Sequence, residues 1–309
     1  MSFDTRAIDL TFVLGTGPFG DGVGNTATLS AGDDPHNVRR VSAKIEKAGG
    51  TSMTTLDMQV YGMTPSVMNK LSTLGLVWTR LRNNTVTVAA GTIDGTKSVV
   101  FNGTISDAWI DLETAPEATF RVSAQVGGIE SVKTAIPSSF TAGADVSTIM
   151  QTLASKMGLG FEPNGTSVIL SNQYLAGSYR DQALRAADAA GVESVIDNGT
   201  LAIWPRGGSR QGQIPLISPD TGMIGYPGYT SKGISVRTVF NPAVLFGGNI
   251  KVISSLGLTD GQDPNLSPAS GMWNVFGIDY DLEAGASGGK WEMTIRATRP
   301  GNPVVDNGS

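Results

Sequence analysis

Two glycine-rich segments are the first places in this sequence where chemistry could occur. Residues 15–20 (GTGPFG) match the GxGxxG pattern of dinucleotide sites, and residues 285–289 (GASGG) match the GxSxG pattern that presents a nucleophilic serine. A dinucleotide site needs a helix directly after the glycines, but residues 21–32 have no apolar stripe at helical spacing. The serine motif needs a histidine later in the chain, and the only histidine, His36, comes earlier. We interpret both segments as loops.

Acidic residues are the other candidate chemistry, because two converging carboxylates can cleave a glycosidic bond. The two groups that lie close together in the sequence are Asp107, Asp111 and Glu113, and Asp279, Asp281 and Glu283. Solvated sheet faces explain both groups. The sequence contains one histidine and no cysteine, which excludes a multi-histidine metal site, a disulfide and a thiolate nucleophile. We predict no catalytic residue, no cofactor and no metal site.

The composition indicates a folded, turn-rich chain with a sparsely charged surface. Its 309 residues include 40 glycines and 15 prolines. Charged residues make up 16% of the chain, whereas about 25% is usual. The formal net charge is -5 and no run of lysine or arginine occurs, so we expect no specific nucleic-acid binding. A neutral or acidic wall past which nucleic acid slides is compatible with this balance.

The sequence also bears on where the protein is made. The first ten residues contain Asp4, Arg6 and Asp9 without a following apolar stretch, so we expect no secretory signal. No apolar run approaches the roughly 18 residues that a membrane span requires. We therefore expect synthesis in the cytoplasm and no membrane span.

Residues 1–125 are predicted to form a β barrel. The segments with the apolar–polar alternation of strands are residues 9–14, 38–47, 53–62, 85–91 and 118–126. One helix is predicted at residues 64–75, since Thr64 can cap it, Pro65 suits its first turn and Gly75 can end it. Residues 98–112 are predicted as one strand, in which Gly103 permits a close approach of another backbone.

Residues 126–215 are predicted to form a small α/β insert. Residues 144–158 and 178–191 place apolar side chains at helical spacing. Each helix is followed by glycine, a short strand and an Asn-Gly-Thr turn, at Asn164 and at Asn198. We therefore predict two copies of a helix-and-hairpin unit.

Residues 216–309 return to the alternation of strands and are predicted to form a second β barrel. The alternating segments are residues 233–240, 249–258, 272–283 and 290–298. The loop at residues 259–271 is long for a hairpin, which suggests an arm or a contact element. The predicted fold class is mainly β with an α/β insertion (α+β), in which two β-barrel domains flank the helix-and-hairpin insert.

Four segments resemble phage baseplate or tail-tip hub proteins. GMIGYPGYTSKGISVRTVFNPAVLFGGNIKVIS (residues 222–254) and GMWNVFGIDYDLEAGASGGKWEMTIRA (residues 271–297) resemble the C-terminal part of these proteins. VFNGTISDAWIDLETAPEATFRVSA (residues 100–124) and ADVSTIMQTLASKMGL (residues 144–159) resemble their middle part. The resemblance covers most of the chain from about residue 86 onward.

The resemblance implies a structural protein with two tube-like barrels per chain. Three chains would form a homotrimeric, pseudo-sixfold ring that joins the sixfold tail tube to the threefold spike and surrounds the channel. Its partners would be further copies of the chain, tail tube or distal tail proteins, the central spike and the tape measure, in the tail baseplate of the virion. DNA would pass through the lumen without specific binding. No lysozyme-like insert is present, so cell-wall cleavage is not implied.

Two regions are candidate contact sites of such a ring, one in a glycine- and proline-containing segment and one in the long loop. They are Gly225, Tyr226 and Pro227, and Asp263, Pro264 and Asn265. A function of a different class also stays open, namely a carbohydrate-binding or glycoside-cleaving β protein. This alternative rests on the threonine- and tryptophan-containing strands and assigns the chemistry to Asp279 or Asp281.

Overall fold

The chain divides into two units in the computed structural model. Unit 1 comprises Met1–Ile45, Thr55–Ile129 and Tyr280–Trp291, and unit 2 comprises Glu46–Thr54, Glu130–Asp279 and Glu292–Ser309. The structure describes residues 6–15, 17, 24–32, 39–49, 52–73, 83–113, 117–128, 135–254 and 269–304.

Unit 1 is built on an antiparallel sheet. Its strands are β1 (Arg6–Val13), β2 (Thr26–Gly32), β3 (Arg40–Lys47), β4 (Thr55–Tyr61), β5 (Thr85–Thr92), β6 (Ser98–Asp111) and β7 (Thr119–Gln125). They lie side by side in the order β3-β4-β7-β6-β5-β1-β2. The predicted helix is α1 (Pro65–Leu71), which begins at Pro65 and buries Met68 and Leu71. The predicted alternating segments correspond to β1, β3, β4, β5 and β7, and the strand predicted at residues 98–112 corresponds to β6.

One face of the unit 1 sheet is apolar because inward and outward residues alternate along each strand. In β4, Leu56, Met58 and Val60 are buried, while Asp57 is exposed. Burial of each such aliphatic side chain stabilises the fold by about 1.5–3 kcal/mol. The alternation therefore produces a buried face and a polar face on the same sheet.

Gly103 lies within the continuous strand β6, as predicted. A Cβ at this position would lie 2.6 Å from the carbonyl oxygen of Gln125 on the paired strand β7. That distance is shorter than any normal van der Waals contact, so only glycine lets the two backbones come this close. β6 therefore requires a glycine at position 103, although glycine is usually unfavourable inside a strand.

The insert of unit 2 contains two helices and five strands among the described residues. They are β8 (Ser138–Asp145), α2 (Val146–Met157), β9 (Gly160–Glu162), β10 (Ile169–Leu175), α3 (Tyr179–Ala190), β11 (Val192–Asp197) and β12 (Thr200–Pro205). Asp145 caps α2 by accepting a hydrogen bond from the Ser147 backbone. Ser178 and Asp181 form the predicted capping box of α3. Local sequence signals therefore determine both helices.

The strands that follow these helices pair differently from the predicted repeat. β11 and β12 form the hairpin, with Asn198 and Gly199 both at positive φ. β9 instead pairs in parallel with β12, and β10 pairs antiparallel with β8. Asn164 has the positive φ of a hairpin turn, but its Nδ2 donates a 3.0 Å hydrogen bond to the Ile203 carbonyl of β12. This contact connects the turn to β12, in agreement with the pairing of β9 with β12 and of β10 with β8.

The remaining strands of unit 2 form an antiparallel sheet with a short parallel addition. They are β13 (Leu216–Ile217), β14 (Met223–Thr230), β15 (Gly233–Val239), β16 (Asn249–Val252), β17 (Gly271–Ala284) and β18 (Trp291–Thr298). The order is β14-β15-β18-β17, with β16 beside β17 and β13 parallel to β16. Residues 280–284 of β17 belong to unit 1, where this strand lies next to β3.

The mainly β fold class with an α/β insertion is confirmed by these elements. The division into three domains at residues 125 and 215 stays a prediction. Among the residues that the structure describes, no helix has the length and apolar character needed to cross a membrane.

Candidate interaction surfaces

Asp279 and Asp281, to which the sequence analysis assigned sugar chemistry, each form an ion pair. In unit 2, Asp279 accepts a 2.8 Å hydrogen bond from Arg296. Burial raises the pKa of Asp279 above its usual value, and nearby Glu46 acts in the same direction while Arg296 opposes both. In unit 1, Asp281 forms a 2.7 Å ion pair with Lys290. These carboxylates act as ion-pair partners in the folded chain.

Asp111 and Glu113 lie together at the end of β6. The Glu113 backbone N–H donates a 2.9 Å hydrogen bond to Asp111, and Arg121 Nε donates another of 2.6 Å. These two hydrogen bonds lower the pKa of Asp111, which keeps this carboxylate ionised. Asp107 pairs in register with Ser123 on β7. Within the described ranges, no group of three or more acidic or histidine side chains is placed to hold a metal ion.

The candidate contact segment Gly225-Tyr226-Pro227 lies in β14, at one end of the strand order of unit 2. Its pairing with β15 shifts register between Ile224 and Gly228, and Gly225 has a φ of 73°. This irregularity is typical of a β-bulge. The side chains of Tyr226 and Tyr229 are 59% and 61% exposed. β14 therefore carries large aromatic groups on an edge strand.

The second candidate segment falls outside the described residues. Asp263, Pro264 and Asn265 belong to the stretch between residues 254 and 269, of which the structure describes nothing. His36 and part of the GxGxxG segment also lie outside the described residues. The role of this loop as a contact element stays a prediction.

The outward side of the unit 1 sheet is a second candidate surface. We call it the polar face of unit 1; it includes Asp9, Thr11, Thr87, Asn102, Trp109 and Arg121. Thr11 is the register partner of both Thr28 and Thr87, and Thr87 is the partner of Asn102. An uncharged row of hydroxyl and amide groups therefore crosses four neighbouring strands.

Two cations of this polar face, Lys97 and Arg121, are paired with carboxylates. Lys97 forms a 2.8 Å ion pair with Asp9, and Arg121 forms one of 2.6 Å with Asp111. A shallow cleft of about 270 Å³ opens on the same face, where the half-buried Trp109 lies in register with Arg121. Sequence reasoning missed these pairs because they form between elements that become neighbours only in the folded sheet.

Unit 2 contains a buried ionic cluster that the sequence analysis also missed. Lys47 Nζ lies 2.5 Å from Asp197 Oδ1, and Arg210 contacts both Asp197 (3.1 Å) and Glu162 (2.8 Å). Burial disfavours the charged form of Asp197, but Lys47 and Arg210 outweigh it and lower its pKa. The sequence of β3 did contain a signal that Lys47 is buried. Lys47 continues the every-second-residue series of buried positions formed by Val41, Ala43 and Ile45.

Several solved structures share this fold at low sequence identity. A tail protein from Neisseria meningitidis MC58 covers 97% of this chain and 99% of its own, with a TM-score of 0.60 and 10% identity. The 43 kDa tail protein of prophage MuSo2 from Shewanella oneidensis covers 96% and 100%, with a TM-score of 0.55 and 11% identity. A component of the Escherichia coli type VI secretion system, described as similar to bacteriophage T4 tail proteins gp27 and gp5, covers 86% and 74%, with a TM-score of 0.52 and 11% identity. The fold is therefore one that phage tail and type VI secretion proteins share.

The sequence itself places the chain in a family. The family model described as Baseplate hub gp41 matches residues 27–283. Because this match spans most of the 309 residues, the chain belongs to the Baseplate hub gp41 family. The resemblance to baseplate hub proteins is confirmed, and the protein is a structural protein of the phage tail or type VI secretion spike kind. No curated protein sequence matches the chain.

Proposed function

We propose that the protein is a non-enzymatic hub that forms a homotrimeric ring between the sixfold tail tube and the threefold spike. The observation that carries this proposal is the division of a baseplate hub chain into two units, each rich in antiparallel β-strands. Three such chains supply six β units around one axis. Identical subunits usually assemble with closed cyclic symmetry. A ring of three chains with six β units would match the sixfold symmetry of the tail tube and the threefold symmetry of the spike.

β14 is the surface that we assign to contact within this assembly. An edge strand presents backbone donors and acceptors on one side, and in a soluble monomer these edges are usually shielded. Here the edge instead carries Tyr226 and Tyr229, both largely exposed. Tyrosine is enriched where protein interfaces are buried. The bulge at Gly225 directs this segment away from regular pairing with β15.

The charge distribution supports a channel through which DNA passes. The net charge of -5 disfavours retention of DNA, and Lys97 and Arg121 on the polar face are each paired with a carboxylate. We propose the tail tube or distal tail proteins, the central spike and the tape measure as the other partners. The location would be the baseplate of the virion, after synthesis in the host cytoplasm.

Native mass spectrometry of the purified chain, combined with electron cryomicroscopy of tails, tests this function. We expect a mass of three chains and a ring with a central opening at the junction of tube and spike. A chain that stays monomeric when tube and spike proteins are added, together with a junction whose density lacks this chain, would refute the proposal.

A further inference from the structure

We propose that the cleft of about 270 Å³ on the polar face of unit 1 binds a small saccharide that carries a carboxylate. The lining side chains that carry this inference are Lys44, Asp57, Gln59, Trp109 and Arg121. Pockets for drug-sized ligands are somewhat larger, so the ligand that fits here is of the size of a single sugar ring. The inference goes beyond the proposed hub function and does not depend on it.

Strand pairing places an indole, a guanidinium and an amide side by side in this cleft. Arg121 of β7 is the register partner of Gln59 on β4 and of Trp109 on β6. Side chains directly opposite each other on neighbouring strands have Cβ atoms about 4.5–5.5 Å apart. Trp109 is half-buried and lines the cleft. An indole beside planar polar groups suits a sugar ring, which packs its C–H face on the aromatic and exchanges hydrogen bonds through its hydroxyls.

Several polar groups of the cleft are left over by the fold. Asp111 accepts a 2.6 Å hydrogen bond from Arg121 Nε, whereas both Nη groups of Arg121 lack a hydrogen-bond partner within the described residues. Lys44 is exposed on β3 and forms no ion pair in the described part of the chain. Asp57 accepts a 2.8 Å hydrogen bond from Ser123 through one oxygen, which leaves the other for a ligand hydroxyl. Two cations beside one carboxylate favour a ligand with a carboxylate of its own.

The backbone around the cleft favours a saccharide over a peptide. The strands that form the cleft are β3, β4, β7 and β6, and each has a neighbouring strand on both sides. A peptide that adds to a sheet gains its affinity from main-chain hydrogen bonds at an open edge. These interior strands have no open edge, so only side chains can hold a ligand here. A saccharide needs no main-chain partner, because its hydroxyls both donate and accept.

Fluorine NMR of the purified chain tests the site. Labelling with 5-fluorotryptophan gives one signal for each of the five tryptophans, and Trp109→Phe identifies the signal of Trp109. We expect methyl glucuronide to shift this signal saturably with a dissociation constant of about 1 mM, since a ligand of this size gains limited free energy per atom. The four other signals should stay in place. A Trp109 signal that does not move well above that concentration would overturn the inference.

Two related probes test the chemistry of the ligand. Methyl glucoside keeps the ring and its hydroxyls but lacks the carboxylate, and cyclohexanecarboxylate keeps the carboxylate but lacks the hydroxyls. We expect each to bind at least about tenfold more weakly, because a hydrogen bond to a charged group contributes at least that factor. Equal binding of the glucoside would overturn the role of Lys44 and Arg121. Equal binding of cyclohexanecarboxylate, or of a short acidic peptide, would show a general carboxylate site and overturn the saccharide assignment.

A pair of double variants separates the site from a general change of charge. Lys44→Gln with Arg121→Gln should weaken glucuronide binding at least about tenfold. Arg237→Gln with Lys251→Gln is the matched control, because it removes two positive charges from exposed positions of unit 2 and breaks the 2.7 Å ion pair between Arg237 and Glu292. We expect the control to bind as the unaltered protein does. An equal loss in both variants would contradict the proposed site.

Native mass spectrometry keeps this test separate from that of the hub. Both double variants should have the same native mass as the unaltered protein, because the cleft lies away from β14 in the strand order. A chain that forms the proposed ring but binds no glucuronide overturns this inference alone. A chain that binds glucuronide but is missing from the junction of tube and spike overturns the hub function alone.

Discussion

Glu193 and Trp204 face each other across the β11–β12 hairpin, and the indole Nε1 donates a 2.6 Å hydrogen bond to the carboxylate. The other carboxylate oxygen accepts a 2.9 Å hydrogen bond from the backbone N–H of Val304. Both side chains are almost completely buried. One carboxylate therefore connects the insert hairpin to the C-terminal segment within unit 2.

Glu193→Ala should destabilise the protein by about 3 kcal/mol, because it leaves buried donors on Trp204 and Val304 without an acceptor. Urea unfolding followed by tryptophan fluorescence measures the change. Glu113→Ala, at an exposed position, is the control and should change the free energy of unfolding by less than about 0.5 kcal/mol. Equal effects of the two substitutions would show that the buried hydrogen bonds contribute nothing.

Asp197→Ala should lower the free energy of unfolding at neutral pH by about 3–5 kcal/mol, because Lys47 and Arg210 lose a shared partner in a buried site. The measurement is again urea unfolding. The same substitution at Asp188, which is exposed on α3, is the matched control. A loss no larger than that of the control would contradict the structural role of the cluster.

The same aspartate gives a prediction for acid stability. Its pKa is lower in the folded chain than its ordinary value, so its stabilising contribution is complete above about pH 4, the unfolded value. The contribution is lost as the pH falls through the lowered folded pKa. Asp197→Asn should therefore flatten the acid side of the stability curve, measured by urea unfolding between about pH 2 and pH 7. If the free energy of unfolding of the variant falls with decreasing pH as steeply as that of the unaltered protein, the ion pair does not stabilise the fold.

Gly103→Ala should destabilise unit 1 by about 1–3 kcal/mol, since its Cβ would overlap the Gln125 carbonyl and force strands β6 and β7 apart. Gly24→Ala is the control, because a Cβ there meets nothing within 4 Å. Thermal unfolding of both variants measures the difference. If the Gly103→Ala variant is as stable as the Gly24→Ala variant, β7 can shift to accept the Cβ without a loss of stability.

Tyr226→Ser should weaken the proposed trimer without unfolding the chain, because the tyrosine is exposed on the edge strand β14. We expect native mass spectrometry to show a shift from trimer towards monomer, with an unchanged circular dichroism spectrum. Tyr174→Ser is a matched control, since Tyr174 is 69% exposed in the two-stranded β8–β10 sheet. An equal loss of trimer in the control would refute β14 as the specific contact.

Several elements could be predicted from the sequence because their signals are local. The helices α2 and α3 carry their own caps, at Asp145 and Ser178, and each ends at a glycine in the left-handed conformation. The strands of both units carry the period-2 alternation that one buried face requires.

The sequence by itself determined the strands with clear apolar–polar alternation, the two helices of the insert and the absence of cysteine chemistry, because each depends on residue type and near-neighbour spacing. Only the tertiary structure decided which strands pair and which distant side chains come into contact. Asn164 and Asn198 lie in similar turns, yet the strand before Asn164 pairs with β12, whereas Asn198 joins the two strands of a hairpin. Lys47 and Asp197 are 150 residues apart. Such a contact forms only when packing of the whole unit brings their two strands together.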